Sequence, residues 1–159
     1  RSGVVGCSRN DRAALAAALN VDLVHPDDAA GENDCVFHCS ASESGLARGL
    51  QLLADEGELI ELSWYGMAQP RVPLGTAFHS RRLTIRASQV GVVAAARRTR
   101  RTTSDRLRLA LQLLEDPMFD TFITGRAPFG ALPQTMESIF NDSSQTLCQV
   151  IDYPTDKES

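Results

Sequence analysis

No apolar run in this sequence approaches the roughly 18 residues that a membrane-spanning helix needs, and no signal-peptide pattern opens it. A membrane is therefore an unexpected partner. Basic residues are also in deficit: 16 Lys and Arg against 20 Asp and Glu give a formal net charge of −4. That balance supplies no general pull toward nucleic acid, which is an unlooked-for partner too. Four cysteines are present, Cys7, Cys35, Cys39 and Cys148, with no C-x-x-C pair among them. Their spacing fits neither a zinc ribbon nor a disulfide framework. Each lies in or beside an apolar run, so they are expected as small buried hydrophobes in a reducing cytoplasm. His25, His38 and His79 show no metal-ligand spacing, and neither a metal nor a catalytic role is assigned to them. There is no internal repeat, no low-complexity segment and no G-x-G-x-x-G. The chain opens on Arg1-Ser2-Gly3 without a Met, and it is expected to continue something longer.

What is present suits one domain, or one domain with an appendage: 159 residues, 43% of them hydrophobic, can bury a real core. The organising stretch is residues 34–66, DCVFHCSASESGLARGLQLLADEGELIELSWYG. The run from Cys35 to Cys39 predicts a strand. Leu46, Leu50 and Leu53 at i, i+4 and i+7 predict an amphipathic helix, and the run from Leu59 to Trp64 a second strand. This is the size and order of a parallel βαβ crossover. The right-handed rule for such units brings both strand ends to one sheet edge, where open α/β sheets bind ligands.

The flanks extend the pattern. Residues 3–7 predict a strand. Asn10 is expected to cap an Ala-rich helix over 11–19 that ends at Asn20, and 21–25 form a strand stopped by Pro26. Alternation predicts a strand over 82–88. Thr103 or Ser104 should then cap a helix with Leu107, Ala110, Leu111 and Leu114 on one face. A strand over 123–129, a helix from Pro133 and a strand over 147–153 complete the chain. Arg81, Arg82, Arg86 and the arginines from Arg97 to Arg108 lack interleaved aromatics, so they read as a solvated face partly paired with Asp105 and Glu115.

One short signal bears on ligand choice. In a dinucleotide-binding sheet, the residue closing the second strand meets the adenosine ribose, usually as a carboxylate. Here Ser8 and Arg9 close the first visible strand. A neutral residue followed by Arg suits a 2′-phosphate, because a guanidinium can grip it with two parallel hydrogen bonds. The same two residues could simply begin a helix, and both readings stand on this signal alone.

The segments VVGCSRNDRAALAAALNVDLV, DCVFHCS, LLADEGELIELSWYG, FHSRRLTIRASQVG, LALQLLEDPMFDTFITGRAPF and QVIDYP occur in that order. Over some 150 residues, their order and spacing resemble the C-terminal half of a zinc-type alcohol dehydrogenase, of the medium-chain dehydrogenase/reductase family. The resemblance implies an α/β fold: a Rossmann-like parallel sheet lacking its first strand and Gly-rich loop, plus a C-terminal segment that returns to the catalytic domain. It divides the chain into a partial dinucleotide-binding domain, 1–91, and a returning helix and strands, 92–159. It places Ser8, Arg9 and Asn10 where the family chooses between NAD and NADP. Cys39 and Ser40 fall near the cofactor ribose, Ser63 and Trp64 beside the nicotinamide, and Ala87, Ser88 and Gln89 around its carboxamide. Ala41, Ser63 and Glu58 stand where the family usually has glycine.

The function this implies is the C-terminal part of an NADP(H)-dependent oxidoreductase, with NAD(H) as the alternative cofactor. It would transfer hydride between nicotinamide and an alcohol or carbonyl. Zinc belongs to the parent family, with no ligands in this chain, and the chain alone is expected to be inactive. Removing the family's central strand would leave two interior sheet edges unpaired. A missing N-terminal part, a second chain or a homodimer partner is expected to supply it, or the sheet rearranges. A different class of function is a non-catalytic binding or assembly module built on such a fold, with the Arg-rich segment as its partner surface.

Overall fold

The computed structural model describes residues 3–5, 10–141 and 146–154. Cys7, Ser8 and Arg9 lie outside the described residues. In chain order the elements are β1 (Gly3–Val5), α1 (Asn10–Ala18), β2 (Asp22–Val24), β3 (Asn33–His38), α2 (Glu43–Gln51), β4 (Leu53–Glu61), α3 (Ala77–Ser80), β5 (Thr84–Ala87), α4 (Thr103–Leu113), β6 (Ile123–Pro128), α5 (Leu132–Asn141) and β7 (Cys148–Asp152). The described strands form three separate sheets, β1-β2, β3-β4-β5 and β6-β7. The pairs β3-β4, β4-β5 and β6-β7 are parallel. The fold is α/β with parallel sheets. The chain divides into two compact units, one containing residues 24–106 and the other containing α1 and the residues from 107 on.

The first unit is the expected crossover with β5 added. Ser42 caps α2, its hydroxyl accepting from the Gly45 N–H at 3.1 Å, which satisfies one of the helix's orphan donors. Leu46 and Leu50 face the sheet and join Leu53, Leu59 and Leu83 in the core, with Val36, Phe78 and Ile85 packed against it. Gly49 sets how closely the helix sits. A Cβ there would lie 2.8 Å from Leu59 Cδ1 and 3.5 Å from Val36 Cγ1, so a side chain would lever α2 off the strands.

Leu53 belongs to β4, not to the helix that its spacing suggested. Leu52 already caps α2, and the chain extends at once. Leu53 reaches the same core from the strand, fully buried. The pairing then skips, from Asn33↔Leu53 to Cys35↔Glu58, and residues 54–57 bulge. Within the bulge Glu56 takes φ 61, a conformation that favours glycine. Glu58 is an ordinary strand residue, in a two-pronged ion pair with Arg86 at 2.5 and 2.7 Å. The position with glycine-like backbone is therefore 56 and not 58. β4 stops at Glu61, short of the expected Trp64, because the Glu61 carboxylate accepts from the Ser63 N–H at 2.8 Å and turns the chain.

Strand alternation places Val36 and His38 toward α2 and Cys35 and Phe37 on the opposite face. Cys35 is exposed and Phe37 is 64% exposed. Cys39 and Cys148 are exposed as well, so the expectation of buried cysteines fails for all three described. The arginines near β5 are paired: Arg81 with Asp55 and Glu32, Arg82 with Glu56, Arg86 with Glu58. Arg98 and Arg106 instead donate to the carbonyls of Val93, Val90 and Val92, tying down the loop after β5.

In the second unit α1 begins at Asn10, which is thus its first residue and not its cap, and Asn20 ends the helix region with φ 52, as a C-terminal Asn should. In the first unit, Thr102 caps α4, one residue earlier than expected. Its hydroxyl accepts from the Asp105 N–H at 3.1 Å, and the Asp105 carboxylate accepts from the Thr102 N–H at 2.9 Å. Among the described residues no helix is long and apolar enough to cross a membrane.

Candidate functional site

Because β3, β4 and β5 are parallel, their carboxyl ends share one edge, with His38, Glu61 and Ala87 side by side in register. The structure brings seven of the sequence-predicted residues to this edge: Cys39 and Ser40 after β3, Ser63 and Trp64 after β4, and Ala87, Ser88 and Gln89 at the end of β5. All but the half-buried Ser63 are exposed, Trp64 to 88%. Asn10 lies at the start of α1, in the other unit.

Beneath these residues lies a polar network that sequence reading missed. His38 is buried, 6% exposed, and its Nδ1 lies 2.8 Å from Glu61 Oε2. Its Nε2 lies 2.8 Å from Ser40 Oγ, which lies 2.9 Å from Ser42 Oγ. Ser63 N donates to Glu61 Oε1 at 2.8 Å, and Tyr65 Oη donates to Oε2 at 3.3 Å. The Tyr65 ring stacks on the imidazole at 6.4 Å between centroids. The Ser63 hydroxyl accepts from the Ala41 N–H at 3.0 Å, joining the two strand tips. Burial works to raise the Glu61 pKa, but the hydrogen bonds from His38 and Ser63 together outweigh it and hold the carboxyl below its usual range. Burial, then the nearby Glu61 charge, pushes the Tyr65 phenol upward.

The directions of these bonds follow from that charge. An ionised Glu61 only accepts, so His38 Nδ1 donates to it, and a ring protonated at Nδ1 alone presents Nε2 as an acceptor. In that tautomer Ser40 donates to Nε2 and its oxygen is free to accept from Ser42, which itself accepts from the Gly45 N–H. The result is a one-way chain from the first turn of α2 to a carboxylate. Gly45 makes room for it: a Cβ there would lie 2.3 Å from Ser40 Oγ and 2.8 Å from both His38 Nε2 and Ser42 Oγ. The available signal was parity. His38 and Glu61 each close an apolar strand, and parallel register pairs them.

Fitted against a dinucleotide, this edge is open but altered. Ala41 has φ 49, the conformation for which glycine is favoured, so the backbone there keeps a glycine shape with a methyl attached. The Ser63 hydroxyl is engaged by Ala41, and the Ser88 N–H is spent on the Glu61 carbonyl at 2.9 Å, leaving it unavailable to a carboxamide. The sequence contains no Gly-rich phosphate loop. Among the described residues no three His, Cys, Asp or Glu side chains form a group able to hold a metal.

No family model matches the sequence, and no curated protein matches it. Solved structures do. The chain is similar to 2R,3R-butanediol dehydrogenase from Bacillus subtilis, at 16% identity and a TM-score of 0.70, covering 95% of this chain and 43% of that one. It is similar to L-idonate 5-dehydrogenase from Escherichia coli, at 17% identity and a TM-score of 0.72, covering 94% and 42%. Haloferax mediterranei glucose dehydrogenase, solved with NADP, Zn and gluconolactone, gives 15% identity and a TM-score of 0.66, covering 95% and 43%. This chain therefore spans less than half the length of these neighbours, and its fold is that of a part of these dehydrogenases.

Proposed function

We propose that this chain is the C-terminal part of an NADP(H)-dependent oxidoreductase of the zinc-type alcohol dehydrogenase kind. The observation that carries the reading is strand pairing. A dinucleotide-binding sheet has the order 3-2-1-4-5-6. Taking out its first strand leaves the groups 3-2 and 4-5-6, and the pairing here is β2-β1 and β3-β4-β5. In this reading residues 1–91 are the partial dinucleotide domain and 92–159 return to a catalytic domain. The phosphate loop, the zinc ligands and the walls of an alcohol or carbonyl pocket come from the rest of the molecule or another chain. When bound, the nicotinamide supplies hydride chemistry. The residues of this chain line and orient its site: Cys39 and Ser40 at the ribose, Ser63 and Trp64 at the ring, and Ala87 to Gln89 at the carboxamide through groups other than the Ser88 N–H. Ser8 and Arg9 favour a 2′-phosphate. Exposed free thiols at Cys35, Cys39 and Cys148 suit a reducing cytoplasm.

Titration with NADPH and NADH tests this through Trp64, the single tryptophan. Saturable quenching or energy transfer is expected, stronger for NADPH. Arg9→Asp should remove that preference. No response to either dinucleotide overturns the reading.

A further inference from the structure

From the geometry of Ser40, His38 and Glu61 we infer a second activity at this edge: Ser40 is a nucleophile toward carboxylic esters, with His38 as its general base and Glu61 as the positioning residue. The inference does not rest on dinucleotide binding, although Ser40 is also the residue that the proposed function puts at the ribose. An aliphatic hydroxyl is a weak nucleophile until a base holds its proton and a third group holds the base. Both conditions are met, with 2.8 Å from Ser40 Oγ to His38 Nε2 and 2.8 Å from Nδ1 to Glu61 Oε2. The Glu61 carboxylate accepts the Nδ1–H hydrogen bond, which orients the ring with Nε2 toward Ser40 Oγ.

Three further features distinguish this from a merely structural cluster. The base is buried while the Ser40 side chain is open to solvent, so a substrate carbonyl can reach the oxygen. Ser40 also accepts from Ser42, which accepts from the Gly45 N–H, and each bond polarises the next toward His38. Gly45, inside a helix, has no side chain at the one point where a Cβ would fall on Ser40 Oγ and His38 Nε2. Ser40 therefore sits against the first turn of α2, where the helix field favours the negative charge that develops in acyl transfer.

The step balances without a redox partner. Ser40 Oγ bonds to the carbonyl carbon as its proton passes to Nε2. The carbon–alkoxy bond then breaks, and the alcohol leaves with that proton. Water attacks the acyl-serine with its proton passing to Nε2, and Ser40 is released as the hydroxyl. Ester and water give acid and alcohol.

The test treats the full chain with a fluorophosphonate and with p-nitrophenyl acetate, and maps the modified peptide by mass spectrometry. One label per chain on Ser40 and a burst of p-nitrophenol are expected. Ser40→Ala, which also removes the partner of His38 Nε2, should abolish both while circular dichroism shows the chain still folded. His38→Gln should slow labelling more than 100-fold. Glu61→Gln should lower kcat with KM little changed, and Glu61→Asp should restore part of it. No label, label spread over other residues, or equal labelling of Ser40→Ala overturns the inference.

Discussion

Residues 24–106 and the region from 107 onward use the same parts, parallel strands and amphipathic helices, and they differ in whether the apolar faces of those helices are covered. In the first, Leu46, Leu50, Leu53, Leu59 and Leu83 are buried together. In the second, Leu107 and Leu111 on α4 and Leu114 just after it are about 60% exposed, Phe140 on α5 is 74% exposed and Tyr153 after β7 is 68% exposed. An amphipathic pattern states which residues share a face, but it does not supply what covers that face. In the first unit the cover comes from the strands that flank α2 in sequence. The exposed residues of the second are those expected of a segment proposed to return onto another domain.

The sharpest way to break this comparison is truncation on each side. Leu59→Ala should cost about 2–5 kcal/mol, because a fully buried side chain leaves a cavity that the surrounding strands cannot fill. Leu111→Ala, at 59% exposure, should cost less than about 0.5 kcal/mol. Urea unfolding of both variants measures the difference, and equal losses would show the second unit to be covered after all.

A smaller effect sharpens the picture of the edge itself. Glu61→Gln removes a carboxylate that accepts from His38, Ser63 and Tyr65, at a cost of about 1–3 kcal/mol at neutral pH. Because folding lowers the Glu61 pKa from its reference 4.5, its contribution is complete above that value and disappears as pH falls through the lowered folded value. Stability of the parent chain should therefore drop more steeply below pH 4.5 than that of Glu61→Gln. Parallel pH curves would remove Glu61 from the list of stabilising groups. The smallest change is a gain. Ala41→Gly relieves a left-handed backbone and should raise stability by up to about 1 kcal/mol, with the melting temperature as readout. A loss would mean that the Ala41 methyl does more good by packing than harm by strain.

Much of the fold was legible because local patterns were consistent with it. The strand–helix–strand order of residues 34–66, the parallel pairing and the left-handed Asn20 all follow from periodicity and capping chemistry. Boundaries were less so. Leu53 satisfies helix spacing and strand burial equally well, and the cap of α4 fell to Thr102 because only there can Asp105 reciprocate. The site was half legible. The resemblance to zinc-type alcohol dehydrogenases implied Cys39, Ser40, Ser63, Trp64 and Ala87 to Gln89, whereas His38 and Glu61 lie 23 residues apart and look like ordinary strand residues.

By itself, then, the sequence determined a parallel crossover whose strands β3, β4 and β5 bring their carboxyl ends to one edge, because hydrophobic period and right-handed connection leave little choice. Only the tertiary structure decided that this edge carries a buried imidazole held between a carboxylate and a serine. Register across two strands sets that contact, and the missing Cβ of Gly45 lets it close, and neither is encoded in any local run of residues.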